Sequence, residues 1–191
     1  MEEQIMNMPA VALRGLTILP GMIAHFDISR ERSLRAVEEA MEQDQKIYLV
    51  TQRNVDSEDP TQEDLYQMGI VADIKQVVRL QNDVVRILVD GISRAALLGF
   101  TGNEKYLEAE ICYCDSNADS LPEDLREAML LGVREAFHRY AAVVGKISKE
   151  LIRQIDQYED LEKLIDYVTN NLPVSYELKH TSKCDCELLW D

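Results

Sequence analysis

The sequence predicts an α+β protein in which a small β-barrel with one covering helix precedes an α-helical subdomain. Three observations support this prediction. Apolar residues recur at every second position in several short segments before residue 114, as is typical of half-buried strands. A polar segment, 115–122, then interrupts the pattern, and the residues after it have the period of amphipathic helices. Closing the strands into a barrel would remove their exposed edges.

The first predicted element is a turn between two apolar runs, at Leu19-Pro20-Gly21-Met22. Proline presets φ for the first central position of a type II turn, and glycine accepts the positive φ of the second. Beyond the turn, the sequence alternates as a half-buried strand does. One face of this strand has Met22, Ala24, Phe26 and Ile28, and the other face has Ile23, His25 and Asp27.

A helix follows, with Ser29 as its predicted N-cap. Its apolar positions fall on one face at helical spacing, so we expect it to cover the barrel. The packed face contains Leu34, Val37, Ala40 and Met41, and the solvent face contains Arg35, Glu38, Glu39 and Glu42. Residues 46–52 form the next predicted strand. Thr61 and Asp64 then have the spacing of a capping box for a short helical turn.

The remaining strands are predicted from two β-branched runs, 70–80 and 84–89. Residues 81–83 between them are Gln-Asn-Asp, and Asn and Asp tolerate left-handed backbone, so a hairpin is expected. Gly91 marks a predicted bend before a further strand, 92–100. The last strand, 106–113, has Leu107, Ala109, Ile111 and Tyr113 on one face.

Three helices are predicted beyond the polar boundary. The first covers 123–144. Ser148 caps the second, which carries Leu151, Ile152 and Ile155. The third has an apolar stripe that ends before Pro173 and consists of Leu161, Leu164, Ile165 and Val168.

Several blocks of this sequence, in order, resemble the start of the amino-terminal domain of the Lon proteases. The blocks are V-A-L-R at 11–14, I-L-P-G-M at 18–22, S-R-E-R-S at 29–33, R-A-V-E-E-A-M at 35–41, I-Y-L-V-T-Q at 47–52, D-L-Y-Q-M-G-I-V-A-D-I at 64–74 and V-R-I-L-V-D-G-I-S-R-A at 85–95. The resemblance covers roughly residues 8 to 175. It implies a PUA-like β-barrel domain at 8–115 and a helical subdomain at 121–179, and the residues beyond, 180–191, are expected to form an irregular tail.

Charge and composition exclude several classes of protein. Hydrophobic residues make up 46% of the chain, which supplies enough apolar surface for a folded core. The net charge of -15 disfavours nucleic acid and anionic membrane as partners, because such a surface repels phosphate. The first residues lack a secretory signal, and we expect a cytoplasmic protein.

Cysteine spacing gives little support to a metal site. Both cysteine pairs have C-x-C spacing, in contrast to the C-x2-C of zinc knuckles. His180 lies near Cys184 and Cys186, so a metal site is conceivable, but Cys112 and Cys114 would have to meet a distant tail. Free thiols are the favoured interpretation, and we expect no metal and no cofactor.

Catalysis is not expected from this sequence. The three histidines are scattered, and no G-x-S-x-G elbow surrounds a serine. Lys146 and Ser148 could form a nucleophilic pair, but a helix cap explains Ser148 better. After Lys179 the sequence departs from the Lon pattern, and it has no G-x4-G-K-[ST] loop. We therefore expect neither ATP hydrolysis nor peptide cleavage.

The resemblance implies recognition of unfolded or damaged proteins for an ATP-dependent serine protease. An exposed apolar patch could bind such segments, and the turn supplies the candidate residues Leu19, Pro20, Met22 and Ile23. The alternative is that Leu19 and Met22 plug the barrel end.

Other functions stay open. The chain could be a stand-alone adaptor that regulates Lon-type ATPase or protease subunits. PUA-like barrels also bind RNA, although the dispersed basic residues disfavour this. We expect a monomer or a weak homodimer.

Overall fold

The computed structural model describes residues 5–114 and 121–173. These residues fall into two compact units, which we call the sheet unit, 5–114, and the helical unit, 121–173. The sheet unit contains six strands and one α-helix, and the helical unit contains three α-helices. The predicted α+β class is therefore confirmed. The tail residues His180, Cys184 and Cys186 lie outside the described residues, as does most of the polar boundary segment.

The sheet joins strands that are far apart in the chain. Its elements are β1 (Ile5–Leu13), β2 (Ile23–Ile28), α1 (Glu31–Glu42), β3 (Lys46–Thr51), β4 (Met68–Arg79), β5 (Val85–Phe100) and β6 (Glu108–Tyr113). The strand order is β2-β5-β4-β3-β1-β6, and β6 also pairs with β5. Five strands, β5, β4, β3, β1 and β6, are thus joined in a closed circuit of pairings. β2 is attached to this circuit through β5 alone among the described strands.

The predicted hairpin forms between β4 and β5, and Asn82 and Asp83 adopt the left-handed backbone expected of them. The predicted break at Gly91 is wrong, because β5 continues through it as one strand of 16 residues. An irregularity in the β4 pairing lies at this point: Val71 pairs with Ser93 and Ala72 pairs with Gly91, so Ile92 is left without a partner residue. A bulge therefore replaces the predicted bend.

Helix α1 packs over one cluster of buried residues, as predicted, with two corrections. Arg30, and not Ser29, is the N-cap residue, and its side chain makes no capping hydrogen bond. Met41 is 40% exposed, while Ser33 and Ala36 are buried. The buried face therefore begins earlier in the helix than predicted and excludes Met41. Ala36, Val37 and Ala40 belong to the core cluster that this face covers.

The helical unit consists of α2 (Glu123–Val144), α3 (Lys149–Gln157) and α4 (Leu161–Asn171). The predicted cap of α3 is confirmed, because Ser148 Oγ accepts a hydrogen bond of 3.1 Å from the Leu151 amide. The unit has its own apolar core, whose buried members are Leu130, Phe137, Ala141, Ile155, Leu161 and Leu164. Three of the apolar residues predicted for α3 and α4, Ile155, Leu161 and Leu164, are among them.

Candidate binding surface

The predicted turn forms at Leu19-Pro20-Gly21-Met22. The Met22 amide donates to the Leu19 carbonyl over 3.1 Å, which closes the turn. Gly21 has φ of 71°, the positive value that the second central position of a type II turn requires. The sequence therefore predicted both the place and the type of this turn.

The turn is fixed to β5 by two backbone hydrogen bonds. The Gly21 amide donates to the Gly91 carbonyl over 2.8 Å, and the Gly91 amide donates to the Met22 carbonyl over 3.0 Å. The contact is so close that a Cβ added at Gly91 would lie 2.3 Å from the Leu19 carbonyl oxygen. Gly91 is thus needed for close approach of two backbones rather than for a bend.

The two residues at positions 16 and 17, which precede the turn, are bonded to β3. Thr51 Oγ1 donates to the Leu16 carbonyl over 3.0 Å, and the hydroxyls of Thr17 and Thr51 lie 3.1 Å apart. Since the Thr51 proton is used by Leu16, Thr17 is the donor in the second contact. These two hydrogen bonds fix the turn's position relative to β3.

The four predicted binding residues do not share one environment. Leu19 is fully buried, at 0% exposure, so the expectation that it belongs to an exposed patch is wrong. Met22 is half-buried and packs against the core cluster under α1. Pro20 is half-buried, whereas Ile23 is 67% exposed. The alternative that Leu19 fills the end of the sheet core fits its burial.

The burial pattern of β2 follows the predicted alternation. Ile23, His25 and Asp27 are exposed, while the residues between them are half-buried and Ile28 is buried. Arg86 donates two hydrogen bonds, of 2.7 and 2.8 Å, to the Asp27 carboxylate across the strand pair. The hydrogen bond from Arg86 lowers the pKa of Asp27 below its ordinary value.

Charged residues border the exposed Ile23. Its cross-strand neighbour is Asp90, and Lys75 lies 3.6 Å from the Asp90 carboxylate and 3.0 Å from that of Asp73. The hydrogen bond to Asp73 raises the pKa of Lys75 above its ordinary value, so the ammonium stays charged. An apolar side chain with a charged rim is typical of a surface that binds apolar segments.

Sequence reasoning missed Ile92. This residue is 45% exposed at the bulge in β5, and it directly follows Gly91, which is bonded to the turn. Asp90-Gly91 interrupts the apolar alternation of the strand and marks an irregularity there, but this interruption does not show that Ile92 is exposed. We call Pro20, Met22, Ile23 and Ile92 the turn surface.

No catalytic or metal constellation is found among residues 5–114 and 121–173. No group of three or more potential metal ligands lies together in these ranges. His138 Nε2 lies 2.8 Å from Asp156 and links α2 to α3. Tyr48 is buried, donates to the Ala95 carbonyl over 3.1 Å, and has its pKa raised by burial. Within the described ranges, no helix is long and apolar enough to cross a membrane.

The sequence is similar to that of Lon proteases over most of its length. Residues 7–180 match the family described as the ATP-dependent protease La (LON) substrate-binding domain. The chain is 36% identical over 179 residues to a Lon protease of Lachnoclostridium phytofermentans, covering 94% of this chain and 22% of that protein. It is 30% identical to Lon protease 1 of Bacillus subtilis, over 93% of this chain and 23% of that protein. The chain therefore spans less than a quarter of these relatives.

Solved structures give the same fold. The N-terminal domain of a Lon protease from the Mycobacterium avium complex superposes with a TM-score of 0.73 at 16% identity, over 92% of this chain and 88% of that chain. A Lon N-terminal domain protein from Xanthomonas campestris superposes with a TM-score of 0.51 at 14% identity, over 88% of this chain and 99% of that chain.

Proposed function

The chain belongs to the Lon substrate-binding domain family, and we propose that it binds unfolded or damaged proteins on behalf of a Lon-type ATP-dependent protease. The match of residues 7–180 to a substrate-binding domain carries this proposal. In the proposed role these residues bind and do not catalyse. The partners are non-native polypeptides and the ATPase and protease modules of the relatives. A cytoplasmic location fits such partners.

The turn surface is the proposed contact with the polypeptide. Ile23 offers the largest exposed apolar side chain there, and Ile92 lies one residue beyond the glycine that holds the turn. Non-native proteins differ from native ones by exposing apolar segments, and removing these segments from water lowers the free energy. Because Met22 is flexible and half-buried, it can adapt to different side chains. Leu19 supports the turn from the core.

The architecture proposed for this role is a small PUA-like barrel. Its support is the closed circuit of strand pairings through β5, β4, β3, β1 and β6. The proposed domain bounds are 8–115 for the barrel and 121–179 for the helical subdomain, with the tail at 180–191. A closed circuit holds the turn rigidly, since both of its flanking segments are bonded to strands of the circuit.

The test is a titration of a fluorescently labelled, permanently unfolded protein with residues 1–191, followed by anisotropy. We expect Ile23→Asp to weaken binding about tenfold, because burying one isoleucine contributes about 1.5–3 kcal/mol. Leu98→Asp is the matched control. Leu98 is also an exposed apolar residue of the sheet, at 46%, but it lies outside the turn surface. We expect this variant to bind as the unmodified chain does.

Other outcomes would contradict the proposal. Equal binding of the same protein in its folded state would show that non-native structure is not what is recognised. Equal losses in Ile23→Asp and Leu98→Asp would remove the turn surface as the site. Binding to single-stranded RNA alone would favour the alternative of an RNA-binding module. Sedimentation of the same samples tests the proposed monomer or weak homodimer.

A further inference from the structure

A groove separate from the turn surface lies on the sheet unit. It is a groove of about 460 Å³, and none of the four residues of the turn surface lines it. Its walls come from residues 11–14 at and just after the end of β1, from residues 26–28 at the end of β2, and from Ser29, Arg30 and Ser33 around the start of α1. The volume is in the range of pockets that bind small ligands or short peptide segments. Phe26 and Ile28 supply apolar surface to it.

Two strand segments with unpaired sides line this groove. Residues 11–13 of β1 pair with β3 alone among the described strands, because β6 pairs with β1 at Ile5–Pro9 and the bond from the Ala10 amide to the Leu107 carbonyl follows directly after. β2 pairs with β5 alone among the described strands. An unpaired side of a strand presents backbone donors and acceptors that an extended peptide can complete. The groove therefore favours an extended polypeptide over a compact ligand.

Two arginines meet at one end of the groove. Arg14 and Arg30 each donate to the carbonyl oxygen of Ser57 over 3.0 Å, and Gln52 Nε2 donates to the same oxygen over 3.0 Å. Neither guanidinium forms an ion pair with any residue in the described ranges. Each guanidinium has five N–H donors, so most of them are still available. Two adjacent cations that share one neutral acceptor form a site for an anion.

The local charges agree with this interpretation. Burial, and after it the positive charge of Arg14, lowers the pKa of Arg30 from its ordinary value. Two acidic residues also line the groove. Asp27 is held by Arg86, and Glu58 is exposed to solvent and partly offsets the charge of Arg30.

A buried hydroxyl also lines the groove. Ser33 is 5% exposed and is one of the residues that line the groove. Ser33 lies in the first turn of α1, whose N-cap residue Arg30 provides no side-chain acceptor. A carboxylate at the start of α1 would accept hydrogen bonds from the guanidinium groups of Arg14 and Arg30 and from the Ser33 hydroxyl. The dipole of α1 would stabilise its negative charge.

We propose that this groove binds an extended apolar peptide segment that bears a carboxylate, which Arg14 and Arg30 receive. The carboxylate is either the C-terminus of the polypeptide or an Asp or Glu side chain. This inference rests on the proposed function, since its ligand is a polypeptide. It adds that the protein prefers polypeptide segments in which a carboxylate lies next to apolar residues, and that these segments bind at a site separate from the turn surface.

The test uses residues 1–191 and three fluorescein-labelled apolar hexapeptides. One peptide has a free C-terminal carboxylate, the second is its C-terminal amide, and the third is the amide with one internal aspartate. We expect the amide to bind about tenfold more weakly than either acidic peptide, because a charge-assisted pair is lost. The comparison of the two acidic peptides identifies which carboxylate is preferred. Arg14→Gln and Arg30→Gln should remove the difference between acid and amide.

Arg32→Gln is the control for a merely structural role. Arg32 pairs with Asp59 over 3.2 Å, next to the loop that Arg14 and Arg30 hold, but it does not line the groove. This variant should keep the preference for the acidic peptides.

Equal affinity for the acidic peptides and the amide, or an equal loss of the preference in Arg32→Gln, would overturn the proposal. The proposal would also be overturned if inorganic phosphate displaced the peptide and if replacing the apolar residues of the peptide left its affinity unchanged. The titration of Ile23→Asp with the unfolded protein is measured in parallel. If Ile23→Asp weakens that binding while the peptides show no preference for acid, the groove proposal fails and the proposed function stands.

Discussion

The sheet unit and the helical unit differ in how far along the chain their contacts reach. In the sheet unit Ile5 pairs with Cys112, and the turn at Gly21 is bonded to Gly91. In the helical unit the buried core joins residues between Leu130 and Leu164 only. Both proposed binding sites lie on the sheet unit. The binding surface of the sheet unit, which is assembled from distant segments, therefore depends on close backbone contacts, whereas the helical unit depends on side-chain burial between nearby helices.

The largest expected loss of stability tests the role of side-chain burial in the helical unit. Phe137 is 4% exposed in the core of the helical unit, so Phe137→Ala should destabilise that unit by about 4 kcal/mol. Hydrogen exchange measured by mass spectrometry would show faster exchange in 121–173, with 5–114 as the internal reference. The control is Val143→Ala, because Val143 is 87% exposed and should contribute little. Faster exchange in 5–114 as well would break the distinction between the units.

The next effect tests close backbone approach in the sheet unit. Gly91→Ala should destabilise the sheet unit by about 3 kcal/mol, because its Cβ would lie 2.3 Å from the Leu19 carbonyl oxygen. Urea unfolding measures the change. Gly132→Ala in α2 is the matched substitution in the helical unit. An added Cβ there meets nothing within 4 Å, so this change should stabilise by about 1 kcal/mol. Equal effects of the two alanines would contradict the interpretation.

The smallest effect concerns the charge pair on β2. Since Arg86 lowers the pKa of Asp27 in the folded protein, the pair stabilises the fold above the unfolded pKa of about 3.9. That contribution is lost as pH falls through the lower folded pKa. Arg86→Gln should therefore reduce stability at pH 7 and make no difference in strong acid, as measured by urea unfolding across pH.

Arg153→Gln provides the comparison for this charge pair in the helical unit. Arg153 pairs with Glu150 on the surface of α3, so removing it should leave the sheet unit's pH dependence unchanged. A stability difference for Arg86→Gln that stays constant down to strong acid would contradict the role given to Asp27.

Local features of the fold were predictable from the sequence. Pro20-Gly21 fixes its turn through the backbone preferences of two adjacent residues. Asn82 and Asp83 do the same for the hairpin, and Ser148 caps α3 through a bond to a residue three positions away. Each of these structures is determined within a few residues, so a single sequence contains the information needed.

Features that depend on distant contacts were not predictable. Leu19 is buried because β5 approaches it at Gly91, which no pattern around the turn reveals. Ile92 is exposed because of a bulge that only the pairing with β4 creates. The place of Arg14 beside Arg30 likewise depends on the loop carbonyl of Ser57. The candidate sites could therefore be located only partly from sequence.

The pairing of β1 with β6 also affects how the protein folds during its synthesis. β1 leaves the ribosome early, but its antiparallel partner at Glu108–Cys112 is made about 100 residues later, roughly 5 to 20 seconds at ordinary rates of translation. During that interval the apolar segment Met6–Ala12 lacks this partner and can pair with other nascent chains. The domain proposed to bind unfolded proteins therefore passes through an aggregation-prone state of its own.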